Sequence, residues 1–258
     1  MVIRAAIAGA GNVANHIAKT LYAAGTEITE IYSRSRVTAA ALAAQTDARV
    51  CSDLGALGAD AHYVIIAVSD TAVESLSQML PVTDATVVHT SGSIPLEKLS
   101  HRHSHAGVLY PLQTFSRDVP VDMSRVTFFT EATDAVTLES VDRLARMMSA
   151  HVYHANSAQR KYLHVAGVLS SNFTVYLLGQ CESVLRKAGF PAEVVRPLAE
   201  ATLAKVFDVG PHDAMTGPAR RGDMAVVEAQ ARLLPPATAQ IYRLISKQIY
   251  DEYHHEHD

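Results

Sequence analysis

Three groups of residues in this chain have types and spacings that can do chemistry. The first is Gly9-Ala10-Gly11-Asn12-Val13-Ala14, which fits G-x-G-x-x-(G/A). An apolar run precedes it and a helical pattern follows, the setting in which such a turn holds a pyrophosphate. Gly9 gives the tight turn, Gly11 lets the backbone approach the phosphates, and Ala14 keeps helix and strand close. The helix start through Asn12 and Val13 offers free N–H groups and a partial positive charge. The second group is Ser33-Arg34-Ser35, followed by Arg36. An NAD site usually has a carboxylate here for the ribose 2′-hydroxyl. Hydroxyls and guanidiniums suit a 2′-phosphate instead, with Arg34 as its main partner and Ser33 and Ser35 in support. Together these groups predict NADP(H) as the cofactor.

The third group lies on a long helical stretch in the second half, where Lys161, His164 and Asn172 follow one another. Lys161 and Asn172 are eleven residues apart, about three turns, and so share a face of an unbroken helix, with His164 on an adjoining line. Histidine changes charge near neutral pH, which suits His164 to acid–base work. Another reading stands for each residue: His164 and Asn172 as buried polar groups tying helices together, and Lys161 as a solvated surface residue.

Further polar residues fall where strands end. Val68 and Ser69 close one apolar run, and Thr90 and Ser91 close the next. Ligands of open α/β sheets sit at the carboxyl ends of strands, so all four are expected beside the cofactor. Asp70 reads more readily as a helix cap than as a ligand. Gln113 and Thr114 follow another strand and are expected to face substrate. Arg220 and Arg221 suit a substrate carboxylate or phosphate, or equally a pairing with Asp223 or with a partner subunit. His101, His103 and His105 alternate, but no cysteine or carboxylate ligand stands near, and a solvated loop is the better reading. The tail His254-His-Glu-His257 reads as a terminal segment without a designed metal site, and no metal is expected.

These residues need elements to position them. Apolar runs at 2–8, 27–32, 62–68 and 86–89 alternate with helical patterns at 12–24, 37–45 and 72–79. Such alternation predicts a doubly wound α/β sheet. A short strand near 49–51 and later ones at 107–110, 126–130 and 151–154 complete it, with a helix over 135–149. Beyond Asn156 only helical patterns remain, at 158–187, 192–207, 222–233 and 237–253, with a Gly- and Pro-rich loop at 209–218. The expected domains are therefore 1–155, which binds dinucleotide, and 156–258, all-helical.

Composition sets outer limits. The 258 residues carry 22 Lys and Arg against 26 Asp and Glu, a net charge of −4. Such a balance argues against nucleic acid or an anionic membrane surface as partner. No apolar run approaches the length of a membrane span, and no targeting segment is evident. Cys51 and Cys181 form no ligand pattern and read as reduced thiols of a cytoplasmic protein.

Several motifs occur together and in order: Gly-Ala-Gly-Asn-Val-Ala, Tyr-Ser-Arg-Ser, Ile-Ala-Val-Ser-Asp, His-Thr-Ser-Gly-Ser, Tyr110-Pro-Leu-Gln-Thr-Phe115 and Thr216-Gly-Pro-Ala-Arg-Arg-Gly-Asp223. In these the chain resembles the Rossmann-like proteins with a DUF2520 C-terminal domain, described as NADP oxidoreductases, within the wider 6-phosphogluconate-dehydrogenase-like superfamily. The resemblance covers essentially the whole chain. It implies a Rossmann-type sheet followed by an all-helical domain, a homodimer built on the latter, and an NADP(H)-dependent oxidoreductase of a small carbonyl, imine or hydroxyacid. In the wider superfamily a Lys and an Asn on the corresponding helix polarise a carbonyl. His164 and Asn172 match the narrower family's pattern better. One departure matters: many members have His where this chain has Tyr110, and a phenol donates a hydrogen bond but is a poor base near neutral pH. The rival reading is a non-catalytic NADP(H)-binding sensor or scaffold. A third, with a deazaflavin as hydride carrier, has no residue pattern behind it.

Overall fold

The computed structural model of the chain describes residues 2–254. It has two compact units, Met1–Ser171 and Asn172–Asp258. The strand signal ends near the expected boundary at Asn156, where helix α6 begins, but α6 stays with the sheet unit.

The first unit is built on one eight-stranded sheet in the order β3-β2-β1-β4-β5-β6-β7-β8. Its strands are β1 (Arg4–Ala8), β2 (Glu27–Tyr32), β3 (Arg49–Val50), β4 (Tyr63–Ile66), β5 (Thr86–His89), β6 (Ala106–Leu112), β7 (Thr127–Ala132) and β8 (Val152–His154). All neighbours pair in parallel except β6 and β7. The helices are α1 (Asn12–Ala23), α2 (Arg36–Ala43), α3 (Asp70–Met79), α4 (Glu97–Ser100), α5 (Ala135–Arg146) and α6 (Ser157–Gly167).

The central strands are buried on both faces, which is why they read as unbroken apolar runs. Successive residues serve opposite layers: Ile7 and Ile65 join Ile17, Leu21 and Leu144 on one side, while Ala6, Val64 and Ile66 join Leu57, Val73 and Leu80 on the other. The alanines of β1 let α1 pack closely through Ala14, Ile17 and Ala18. Because β1 lies between β2 and β4, the connections leave it in opposite directions and open a crevice at its carboxyl end.

The expected strand at 107–110 continues to Leu112, so Tyr110 and Pro111 lie inside it. Tyr110 pairs with Phe129 of β7. Strand His89 is matched with Val108, which carries Tyr110 beyond the last pairing with β5.

The second unit is helical: α7 (Phe173–Lys187), α8 (Arg196–Val209), α9 (Pro211–Ala214), α10 (Pro218–Arg221), α11 (Met224–Ala231) and α12 (Pro236–His254). The expected loop at 209–218 thus contains α9 and the start of α10, each opened by proline after a glycine with positive φ. The single helix expected over 158–187 is interrupted by a π-helical turn at Val168–Asn172. That turn changes the helical register, so the three-turn alignment of Lys161 with Asn172 does not carry across it.

Candidate functional site

The first part of the site is the turn after β1. Gly9 donates its N–H to the Tyr32 carbonyl at 2.7 Å and has φ +131°. A β-carbon there would lie 2.1 Å from the Ala67 carbonyl oxygen, so β1 can meet the end of β4 only through glycine. At Gly11 the reverse holds: a β-carbon would meet nothing within 4 Å. Gly11 is the N-cap of α1 and no side chain caps that helix, so its first N–H groups face open space. A cleft of about 490 Å³ runs from Gly9–Val13 past Ser33 and Arg34 to Val68 and Ser69.

The residues expected at a 2′-phosphate divide in role. Ser33 and Arg34 line the cleft, and Arg34 is exposed with no ion-pair partner among the described residues. Ser35 is the N-cap of α2 and accepts from the Thr38 N–H at 3.4 Å. Asn12 likewise spends its side-chain amide on the Phe115 carbonyl, at 2.9 Å, which leaves its backbone N–H for an anion.

That contact belongs to a loop, 113–121, which straps the glycine turn. His16 donates through Nε2 to the Ser116 carbonyl at 3.0 Å and lies against the Phe115 ring. Arg117 donates to the Ala10 carbonyl at 2.7 Å. Gln113 and Thr114 are exposed at the start of the strap, and the Gln113 amide oxygen accepts from the Thr114 N–H.

The second part of the site is the end of β5. Thr90 and Ser91 are buried, and neither lines the cleft. Ser91 Oγ accepts the N–H groups of Ser93 and Ile94, each at 3.1 Å, and so shapes the turn. Ser93 donates to the Asp70 carboxylate. Asp70 is the first helical residue of α3, with Ser69 at the N-cap, so it is not the cap the sequence suggested. His89 is fully buried; its Nδ1 accepts from the Ser91 N–H at 3.2 Å. Burial, reinforced by the positive charge of Arg160, pushes His89 down to about 3 and keeps it neutral.

Tyr110 projects from β6 over this turn. Its hydroxyl lies 3.4 Å from His164 Nδ1, and the two rings meet edge to face. Burial, with the nearby Asp70 carboxylate, pushes the Tyr110 phenol above its ordinary value. His164 and Lys161 are both exposed on α6. Their helix is held by a buried ion pair. Arg160, fully covered, reaches the Glu131 carboxylate and the Ile94 carbonyl, the latter at 2.6 Å. Ser157 also donates to Glu131, and Asn156 caps the helix in a reciprocal capping box with Gln159. Desolvation lowers Arg160 to about 10, still charged at neutral pH.

In the second unit, Asn172 is exposed at the end of the π-helical turn. Arg220 donates to the Met215 carbonyl and lies 5.0 Å over the Tyr253 ring. Arg221 pairs with Asp223, the alternative left open by the sequence, and Asp223 stands at the N-cap of α11 without a side-chain capping bond.

The alternating histidines diverge. His103 is buried on the Ser77 carbonyl and so does not belong to a solvated loop, His105 meets Thr137, and His101 is exposed. Among the described residues no group of three potential ligands converges on a metal-sized space. Of the C-terminal histidines only His254 lies within the described residues, stacked on Tyr250.

Sequence reasoning overlooked Arg160, the strap and the packing of Tyr110 on Gly92, where a β-carbon would stand 2.8 Å from Tyr110 Cε2. Arg160 had a signal, as an arginine in the apolar line of an amphipathic helix. The strap had none, because its bonds run to backbone carbonyls more than ninety residues away.

A glycine turn, an uncapped helix start and an open crevice at the β1–β4 switch point define a Rossmann-type dinucleotide-binding protein. Comparison with family models agrees: residues 4–91 match "NADP oxidoreductase coenzyme F420-dependent" and 126–249 match the domain of unknown function DUF2520. A crystal structure from Bacteroides fragilis, provisionally described as an NADP oxidoreductase, is 34% identical, covers 97% of this chain and 98% of its own, and superposes with a TM-score of 0.90. The chain belongs to this Rossmann-like, DUF2520-containing family of NADP oxidoreductases, whose cofactor is NADP(H). The same fold occurs in a reductive aminase from Aspergillus terreus, in complex with NADPH and ethyl-5-oxohexanoate: 16% identity, 100% and 97% coverage, TM-score 0.76. It occurs again in an imine reductase from Myxococcus stipitatus in complex with NADP+: 13% identity, 98% and 93% coverage, TM-score 0.67. No curated protein matches the sequence.

Proposed function

We propose that this protein transfers a hydride between NADP(H) and a small carbonyl, imine or hydroxyacid. The observation that carries the reading is the cleft shared by the Gly9–Val13 turn and Arg34, which has no ion-pair partner among the described residues. Backbone N–H groups from Gly11 to Val13 hold the pyrophosphate, and Gly11 leaves the room it needs. Ser33 and Arg34 hold the 2′-phosphate, with Ser35 shaping that loop. Val68 and Ser69 flank the dinucleotide, while Thr90 and Ser91 build the turn beneath the nicotinamide end. When bound, the nicotinamide supplies or accepts the hydride. His164 is the acid–base group, and Lys161, Asn172, Gln113, Thr114 and Arg220 are the further candidates for substrate contact.

Fluorescence titration with NADPH and NADH tests the cofactor assignment. NADPH is expected to bind more tightly, and Arg34→Ala to remove most of that preference, about tenfold or more for one charge-assisted contact. Equal affinities in the wild type would sink it. NADPH binding without hydride transfer to any carbonyl, imine or alcohol would return the protein to the sensor reading.

We also place a homodimer on the helical unit. Phe173, Leu198 and Phe207 are exposed there, and a largely apolar groove of about 720 Å³ runs between α7 and α12. Sedimentation of a single monomeric species would refute it. The free thiols Cys51 and Cys181, with no helix among the described residues long and apolar enough to cross a membrane, support a cytoplasmic location, which cell fractionation checks.

A further inference from the structure

Tyr110 is a buried phenol at the carboxyl ends of β5 and β6 that touches a second titratable side chain. Its hydroxyl is 3.4 Å from His164 Nδ1, and that imidazole is exposed. Gly92 leaves the space the phenol fills: a β-carbon at Gly92 would be 3.0 Å from the Tyr110 hydroxyl oxygen. Two charged groups stand near the pair, Asp70 on α3 and Arg160 on α6, with neutral His89 at the end of β5. The parallel strands end here, where an α/β sheet presents its ligand.

We propose that Tyr110 is the proton donor to substrate and that His164 recharges it from solvent. The inference rests on the NADP(H)-dependent reading above. In the reducing direction the substrate carbon gains a hydride as its C=O or C=N π bond opens. The freed electron pair on oxygen or nitrogen takes the phenolic proton, so a new O–H or N–H bond forms as the Tyr110 O–H bond breaks. The alcohol or amine leaves behind tyrosinate. Protonated His164 then gives its Nδ1 proton to Tyr110 and regains one from water. The sum is one hydride and one solvent proton added across the double bond. Burial, which holds the phenol protonated, suits Tyr110 to donate rather than to act as base.

Two measurements test this on the full chain, the first of them with NADP+ bound. The first follows ¹³C-labelled tyrosine rings by NMR, with Tyr110 identified by its loss in Tyr110→Phe. The Tyr110 signal is expected to change with pH in a step that His164→Ala abolishes. A signal without such a step, or one whose step is unchanged in His164→Ala, overturns the pairing. The second follows NADPH oxidation with cyclohexanone, alone and with methylamine. Tyr110→Phe is expected to keep NADPH affinity within twofold and to lose about 10²-fold in turnover. Undiminished turnover overturns the donor role, and if neither probe reacts the NMR result decides. Failure of the dinucleotide reading is separately visible, as loss of NADPH binding in the wild type.

Discussion

Gly92 and Tyr110 compete for the same volume: a β-carbon on Gly92 would stand 2.7 Å from Tyr110 Cζ. The ring belongs to the buried apolar cluster of its sheet face and meets Phe129 and His164, so it cannot swing away as a flexible chain end would. Gly92→Ala is therefore expected to push the phenol off His164 and to cost about 1–3 kcal/mol, as overpacking does. The Tyr110→Leu background should recover most of that loss. Chemical denaturation of the single and double variants measures it, and an equal cost in both backgrounds would remove the contact as cause.

Gly11 offers a cleaner separation of fold from binding. A side chain there meets no protein atom, and its backbone is extended (φ −79°, ψ −168°). Gly11→Val should leave the melting temperature nearly unchanged yet weaken NADPH by more than about tenfold, because the methyl groups take the place of the phosphates. Asn12→Ala should behave oppositely, sparing the anion contact and loosening the strap. Isothermal titration alongside thermal melts distinguishes the two patterns.

Arg160 and Glu131 hold α6 to the sheet. Arg160→Met leaves the Glu131 carboxylate with Ser157 but no counter-charge and takes the Arg160 donor from the Ile94 carbonyl, and should cost about 3–5 kcal/mol in urea denaturation. Adding Glu131→Gln should return part of it. Stability within about 1 kcal/mol of wild type in the single variant would contradict the pair's role.

His89 predicts an acid limb. Its folded-state value lies near 3, below that of an unfolded histidine, so between about pH 6.5 and 3 the unfolded chain holds the extra proton. Stability contributed by neutral His89 is full above that window and falls as pH drops through it, by at most about 1.4 kcal/mol per pH unit. His89→Gln should flatten the slope of unfolding free energy against pH there. An unchanged slope would show that other groups set it.

Much of this was legible in the order of residues. The double-sided burial of β4 and β5 produced unbroken apolar runs, and the glycine turn announced the cofactor because few residue types tolerate its geometry. Local patterns failed where a side chain had two claims on it. Ser35 and Ser91 carry the right hydroxyls for a ligand but give their oxygens to backbone N–H groups. The π-helical turn at Val168–Asn172 was hidden because its sequence is compatible with plain helix, and it changes the register that links Lys161 to Asn172. His103 lies in a polar segment and is buried all the same, since α3 supplies a carbonyl for its ring.

The strap has a thermodynamic consequence. Residues 113–121 leave β6 directly after Tyr110 and Leu112 and then bind the glycine turn through Asn12, His16 and Ala10. The nucleotide end and the proton-donating end of the site therefore share one short piece of backbone. Any tightening of substrate at Tyr110 caused by cofactor at Gly9–Val13 must be repaid in kind, because coupling free energy between two sites is reciprocal. Arg117→Ala, which releases the strap from Ala10, is thus a change in cooperativity: it should lower the mutual enhancement of the two ligands by the same factor whichever is added first.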